Sequence, residues 1–295
     1  MSSYPIEKER GWLLPPRKNN TRHPGLVLAA TPIGNLGDIT LRVLDSLFLC
    51  DRVICEDTRV TGKLLEHFGI KKPLMPYNDH NADKQRPVVM EMLRAGQMLM
   101  FVSDAGTPLV SDPGYKLVKD CLEEGLPVTS LPGASAPLTA LQLSGLPSNS
   151  FTFIGFLPNK TAARKKYLAE WMNVPGTLIA FETGPRLHDS LKDIEVVLGN
   201  REIAVARELT KLHEEVARGQ VAHLIEIYEK KEAKGEIVLV IGPGEARKMD
   251  ESEIEVELKK ALKSMGTKEA AAYVAELSNR PRREIYARAL RHVKR

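Results

Sequence analysis

Short apolar runs alternate with amphipathic stretches along most of the chain, and the pattern changes character twice. In the first half the runs are "LVLAAT", "RVICED", "LMPYN", "MLMFVSD" and "VTSLP". Their length and the turn formers that bound them predict strands. Between them the spacing is helical: Leu41, Leu44, Leu47 and Phe48 share one face, and Leu117, Val118, Cys121 and Leu122 share another. The second of these helices reads as starting within "SDPGY", with Ser111 or Asp112 as N-cap and Pro113 in the first turn, and as ending at Gly125. Strands separated by helices predict a mainly parallel sheet with helices on its faces.

Around "SGLPSNS", Ser144 to Ser150, loop formers take over, which places a boundary between a domain over 25–146 and a second over 150–244. The second set of runs is "FTFIGFL", "TLIAFET", "IAVARE" and "EIVLVIG". Helical stretches separate them: "KTAARKKYLAEWM", Pro185 to Leu198, and "VAHLIEIYEK". This half is also α/β. "GPGEARKMDESE" reads as a linker, and 252–295 reads as three helices. The turn "SNRP" separates the last two, which is the pattern of a helix-turn-helix module. The first 24 residues have no apolar core and carry Glu7 and Glu9, so they read as a mobile tail and not as a signal or transit peptide.

Composition narrows the class. At 295 residues, 43% hydrophobic and 27% charged, the chain has the make-up of a soluble globular protein, and no run reaches the length of a bilayer span. Three cysteines, Cys50, Cys55 and Cys121, lack metal-type spacing and cannot all pair, which fits a reducing cytoplasm. The formal charge of +4 is unevenly distributed: Leu258 to Arg295 holds eleven Lys or Arg against three Glu, leaving −4 for the rest. A basic terminal module on an acidic body points to an anionic partner, nucleic acid first, with a solvated basic tail as the bland alternative.

In an open parallel sheet, ligands bind beyond the carboxyl ends of the strands. Those ends carry "TPIGNLGD", "EDTR", "YNDHN", "SDAGTPLVSDPG" and "LPGASAP". Five such loops on one edge predict a ligand crevice. The first is not a dinucleotide fingerprint: aligned on Gly34 and Gly37, its leading glycine is replaced by Pro32, which fixes φ and removes a donor. A Walker A lysine, HExxH, paired CxxC and GxSxG are all missing, so triphosphate, zinc and nucleophile-elbow chemistries have no support. Small residues such as Ala105, Gly106, Ala134, Ser135 and Ala136 let backbone approach a flat ring. A nucleoside without phosphate charge and with an amino-acid tail fits them, and S-adenosylmethionine is such a molecule.

The stretches "ATPIGNLGDIT", "EDTRVTGKLL", "VSDAGTPLVSDPGY", "PGASA", "FETGPR", "ARELTKLHEE" and "KGEIVLVI" resemble, in order and spacing, the ribosomal RNA small subunit methyltransferase I family. This is the RNA-acting branch of the tetrapyrrole methylase superfamily. The likeness runs from about Leu26 to Gly242, and the terminal segment is similar to the family's appended helix-turn-helix module. Porphyrin and corrin methylases usually carry Gly-Asp-Pro where this chain has Gly106, Thr107 and Pro108, a departure that matches the RNA branch.

The resemblance implies two α/β domains with S-adenosylmethionine folded in the cleft between them, a homodimer, and 2′-O-methylation of a cytidine ribose in the decoding region of 16S rRNA. It implies cofactor contacts at Pro32, Ile33 and Gly34, at Asp104, Ala105, Gly106, Thr107 and Val110, at Ser135 and Ala136, and from the second domain at Phe181, Arg207 and Gly235. A hydroxyl is a poor nucleophile at neutral pH, so a base or polarising group is expected. Candidates for the catalytic group are Glu182, Glu208 and Asp57, with Lys211 beside them. Glu182 and Arg186, four apart, can equally form an ion pair, and Arg207 and Glu208 can equally brace the domain interface. RNA contacts are expected from Arg59, Asn78, His80 and Arg186, from Lys211 as a phosphate contact, and from Lys268, Arg280, Arg282 and Arg283 in the terminal module. The rival readings are a tetrapyrrole or protein acceptor on the same scaffold, a non-catalytic ribosome-binding protein, and a nicotinamide dehydrogenase.

Overall fold

The computed structural model describes residues 23–244, 250–278 and 280–293; the expected tail lies outside them except for its last two residues. Five strands, β1 (Gly25–Ala29), β2 (Arg52–Cys55), β3 (Leu74–Pro76), β4 (Met98–Val102) and β5 (Val128–Leu131), form one parallel sheet in the order β3-β2-β4-β1-β5. Every residue of β4 is buried, as a central parallel strand covered on both faces must be. Helices α1 (Leu41–Leu49) and α2 (Thr58–His67) cover one face, packing Val43, Leu47 and Leu65 against Val27, Val53 and Met100. The other face is covered by α3 (Ala82–Arg94) and α4 (Tyr115–Glu123), where Val89, Leu93 and Leu117 meet Leu26, Leu99 and Phe101.

Helix α5 (Ala136–Ser144) comes after the first sheet in the chain but packs on the second. Its Ala140 and Leu141 lie against Ile179, Ala204 and Val240, and Ile33 from the loop after β1 joins the same cluster. The second sheet contains β6 (Phe151–Phe156), β7 (Thr177–Thr183), β8 (Glu202–Arg207), β9 (Glu215–Gln220) and β10 (Glu236–Ile241), ordered β6-β7-β10-β8-β9. Only β6 and β7 run parallel; the other pairs are antiparallel. Its far face is covered by α6 (Thr161–Glu170), α7 (Leu187–Leu198) and α8 (Val221–Lys230).

Three local expectations change. Strand β9, "EVARGQ", goes unseen in the apolar pattern because an edge strand that is half-buried needs no apolar run. Helix α4 begins at Tyr115 with Gly114 at its N-cap, φ +126°, so neither Ser111 nor Asp112 caps it and 108–113 is free to form a loop. A Cβ on Gly114 would lie 2.5 Å from Leu109 Cδ2 and 2.9 Å from Phe101 Cζ, which accounts for glycine there. The third change is at the expected linker, whose end is helical. Asp250 and Glu253 form a capping box that starts α9 (Glu251–Ala261).

Two further helices, α10 (Thr267–Ser278) and α11 (Arg282–Val293), complete a three-helix unit with its own core of Ile254, Leu258, Ala271, Val274, Ile285 and Ala289. All three cysteines are buried and free. No helix among the described residues is long and apolar enough to cross a membrane.

Candidate active site

Parallel strands deliver their carboxyl ends to one edge of the first sheet, and hydrogen bonds bind the loops there into one surface. Thr31 and Gly106 exchange backbone bonds of 2.9 and 3.1 Å, which joins the loops after β1 and β4. Thr107 Oγ1 donates to the Ala134 carbonyl at 3.1 Å, which adds the loop after β5. The Asp57 amide donates to Asp104 Oδ1 at 3.1 Å, which adds the loop after β2. Gly106 has φ +77°, and a Cβ there would sit 3.1 Å from Ile33 Cγ2.

These loops form one wall of a cavity of about 420 Å³. The opposite wall is the open face of the second sheet: Phe181 and Thr183 from β7, Ala206 from β8, and Glu236 and Val238 from β10. Glu182 and Ile237 border it but alternate with these, and their side chains turn to the helix-covered face. Leu209, beyond β8, adds to it. Phe156 stands at the edge, 56% exposed, its ring 5.0 Å from that of Phe181. The register of β6 shifts between Phe153 and Phe156, and Gly155 takes φ +69°, a bulge that re-aims the next side chain.

Nine of the thirteen cofactor residues expected from the sequence line this cavity: Ile33, Asp104, Ala105, Gly106, Thr107, Val110, Ser135, Ala136 and Phe181. Pro32, Gly34, Arg207 and Gly235 lie off its wall. Gly34 instead meets the second domain: a Cβ there would be 2.5 Å from Lys211 Cγ and 2.9 Å from the Leu209 carbonyl oxygen. Arg207 lies on the face of β8 opposite Ala206 and pairs across the sheet with Glu215 at 2.8 Å. Gly235, φ +84°, leaves room for the Glu208 carboxylate.

The expected catalytic carboxylates are occupied. Glu182 reaches the cavity wall, yet its buried carboxylate accepts from Arg186 at 2.9 Å, from the Thr183 amide at 2.8 Å and from the Ser190 hydroxyl. The ion pair with Arg186 is therefore formed. Arg186 also donates to Asn159 Oδ1 and the Leu157 carbonyl, so it is turned into the protein. Glu208, held by φ +51°, accepts from Lys211 at 3.1 Å and from the Glu236 amide at 3.2 Å. Burial opposes its ionisation, but these bonds prevail and its pKa is lowered. Lys211 is shared with Glu236 at 2.9 Å. Asp57 caps α2 and pairs with Arg59, whose hydrogen bonds lower its pKa to about 2.

Among the RNA candidates, Arg59 and His80 are exposed, while Asn78 accepts the His80 amide in a tight turn. Lys268, Arg282 and Arg283 are exposed. Arg280 reaches Glu251 at 3.2 Å and ties α9 to the start of α11.

Sequence reasoning missed Glu56, Ser111, Asp112, Pro137, Phe156 and the β10 residues as lining groups. The signal for Asp112 was present in "SDPGY" but read as a helix cap. The cavity's titratable lining is entirely acidic: Glu56, Asp104, Asp112, Glu182 and Glu236. Burial first, then the charge of Glu56, raises Asp112 to about 6 against a hydrogen bond from Ser103. Burial likewise raises Glu56 and Asp104, each of which also feels the negative charges of its neighbours.

Two α/β layers thus face each other across an acidic cleft. Residues 25–225 match the model of the Tetrapyrrole (Corrin/Porphyrin) Methylases, and 248–292 match that of the RsmI C-terminal HTH domain. Diphthine synthase superposes with a TM-score of 0.58 at 13% identity, covering 78% of this chain and 92% of that one. A uroporphyrin-III C-methyltransferase from Thermus thermophilus, complexed with S-adenyl homocysteine, gives 0.52 at 19% identity, over 74% of this chain and 97% of that one. The chain is 51% identical to the ribosomal RNA small subunit methyltransferase I of Erythrobacter litoralis, over 90% of this chain and 95% of that one. Its identity to the protein of the same name from Escherichia coli O157:H7 is 42%, over 90% and 94%. The chain belongs to the ribosomal RNA small subunit methyltransferase I family.

Proposed function

We propose that this protein transfers a methyl group from S-adenosylmethionine, held in the cavity, to the ribose 2′-hydroxyl of a cytidine in the decoding region of small-subunit ribosomal RNA. The observation that carries the reading is an acidic cavity with no lysine or arginine among its lining residues, in a chain of this family. A cofactor bearing sulfonium and ammonium charges suits carboxylates at Glu56 and Asp104; a phosphate-rich cofactor does not. Ile33, Phe181, Ala206 and Val238 supply an apolar slot for the adenine, and Gly106 lets the backbone approach it. Tetrapyrrole acceptors carry several carboxylates, which this lining would repel.

When bound, the cofactor supplies an electrophilic methyl group and a neutral leaving group, so no metal is required. The protein's part is chiefly to align acceptor and methyl group, a contribution worth up to roughly 7–11 kcal/mol. Exposed Lys268, Arg282 and Arg283 suit phosphate contacts that set affinity and register. Changing all three to Glu is expected to raise the apparent Km for subunits at least tenfold. It should also flatten the salt dependence of binding by roughly 2–3 in log–log slope, with cofactor affinity unchanged. Filter binding across a salt series measures both effects. The reading extends to a homodimer in the cytoplasm with domains bounded at 25–146, 150–244 and 252–295. Exposed Tyr115 and Leu122, seven apart on one face of α4, support self-association there.

The test is incubation with labelled S-adenosylmethionine and small subunits from cells lacking the activity, followed by nucleoside mass spectrometry. Label on the ribose of one cytidine is the expected result. Label on a base would overturn the chemistry.

A further inference from the structure

Glu182, Glu208 and Asp57 are each held by a cationic partner, yet the reaction needs somewhere for a hydroxyl proton to go. Asp112 is different. It lines the cavity, no basic side chain of the lining faces it, and it stands in a loop whose backbone is left-handed at two non-glycine residues, Leu109 (φ +70°) and Ser111 (φ +67°). Such conformations are unfavourable for residues with a Cβ and persist where the surroundings impose them, often at functional sites. Here the surroundings are evident. Leu109 fills the space that Gly114 leaves open, and Ser111 Oγ lies 3.6 Å from where a Cβ on Gly155 would be. The loop thus touches the β6 bulge of the opposite wall, next to Phe156. That loop, meeting the β6 bulge beside Phe156, places a carboxylate on the cavity wall.

We propose that Asp112 is the general base that takes the proton from the acceptor hydroxyl. This rests on the methyl-transfer reading. As the oxygen–methyl bond forms, the methyl–sulfur bond breaks and its electron pair remains on a sulfur that becomes neutral. The hydroxyl proton passes to a carboxylate oxygen of Asp112 and from there to solvent at the open edge. Of the second sheet's lining carboxylates, Glu182 is engaged by Arg186 and Ser190 and Glu236 by Lys211. The charged groups that act on Asp112 are Glu56 after β2, Asp79 after β3 and Asp104 in its own loop, with Ser103 as its hydrogen-bond partner. Burial and these like charges place its pKa at about 6, low enough to be ionised at neutral pH and high enough to hold a proton in flight.

The experiment compares wild type, Asp112→Asn and Asp112→Glu in single-turnover methylation of small subunits from pH 5 to 9, with cofactor affinity measured by calorimetry. Wild type is expected to lose activity below about pH 6. Asp112→Asn should be slower by roughly a hundredfold or more, with that acid limb abolished and cofactor affinity retained; Asp112→Glu should recover part of the rate. Folding is not the obstacle. The raised pKa means that Asp112 favours the folded state below its ordinary range, and that this contribution is lost as pH rises through 6, so the neutral amide is at least as stable at pH 8. A wild-type rate or a surviving acid limb in Asp112→Asn overturns the proposal alone, as does loss of cofactor binding in that variant. A wild-type protein that binds cofactor but methylates no ribose overturns the functional reading and this inference with it.

Discussion

Asp193→Ala is expected to lower the unfolding free energy by about 3–5 kcal/mol, the usual cost of leaving one member of a buried ion pair uncompensated. Arg164 is 2% exposed, and its guanidinium binds Asp193 through Nε at 2.7 Å and a terminal nitrogen at 2.6 Å. Its remaining partners are the neutral carbonyls of Pro158 and Asn159, both at 3.3 Å, and the Thr161 hydroxyl. They cannot replace a counter-ion. Urea unfolding measures the loss, and the double variant Arg164→Met/Asp193→Leu should recover most of it, because the desolvation penalty disappears with both charges. If the single variant costs less than about 1 kcal/mol, the site is wetter than the packing indicates. The consequence reaches the cavity. The 158–159 carbonyls that Arg164 holds lie just beyond Phe156 in the chain, and Asn159 is also the anchor for Arg186.

Ala136→Trp should weaken S-adenosylmethionine binding more than a hundredfold, about 2.7 kcal/mol or more, while the unfolding midpoint stays near that of wild type. Ala136 is the first residue of α5, lines the cavity and is only half-buried, so an indole has room to exist but occupies the slot assigned to the cofactor. Leu138→Trp is the control. That residue is 47% exposed on the same helix and does not line the cavity, so its variant should bind as wild type. Calorimetric titration decides the matter, and an unchanged Kd in Ala136→Trp would move the cofactor out of this cleft.

Much of the candidate site was legible because it lies on strand ends. The runs ending at Ala29, Cys55, Val102 and Leu131 are apolar enough to be recognised, and a parallel sheet places the loops beyond them on one edge. Ile33, Asp104, Gly106, Thr107 and Ser135 are reached by that geometry. The opposite wall was not. Val238 reads as an ordinary core strand residue, and whether a strand face meets a helix or a cavity depends on what packs over it. Gly34 and Gly235 looked like cofactor contacts, since a glycine signals close approach without saying to what. The partners turn out to be Lys211 and Glu208 of this same chain.

The alternation of strands and helices in the first half, the parallel first sheet, the strand-end crescent of small and acidic residues and the basic helical terminus were all determined by sequence, because each depends on period, propensity or charge within a few residues. The tertiary structure decided the antiparallel pairing that includes β9, the transfer of α5 onto the second sheet, and the roles of the carboxylates. Asp57 and Glu208 are engaged by cations, Glu182 is bracketed by Arg186 and Ser190, and Asp112 is left facing the cleft. A carboxylate's chemistry is set by its burial and by the charges around it, and those neighbours come from elements far apart in the chain.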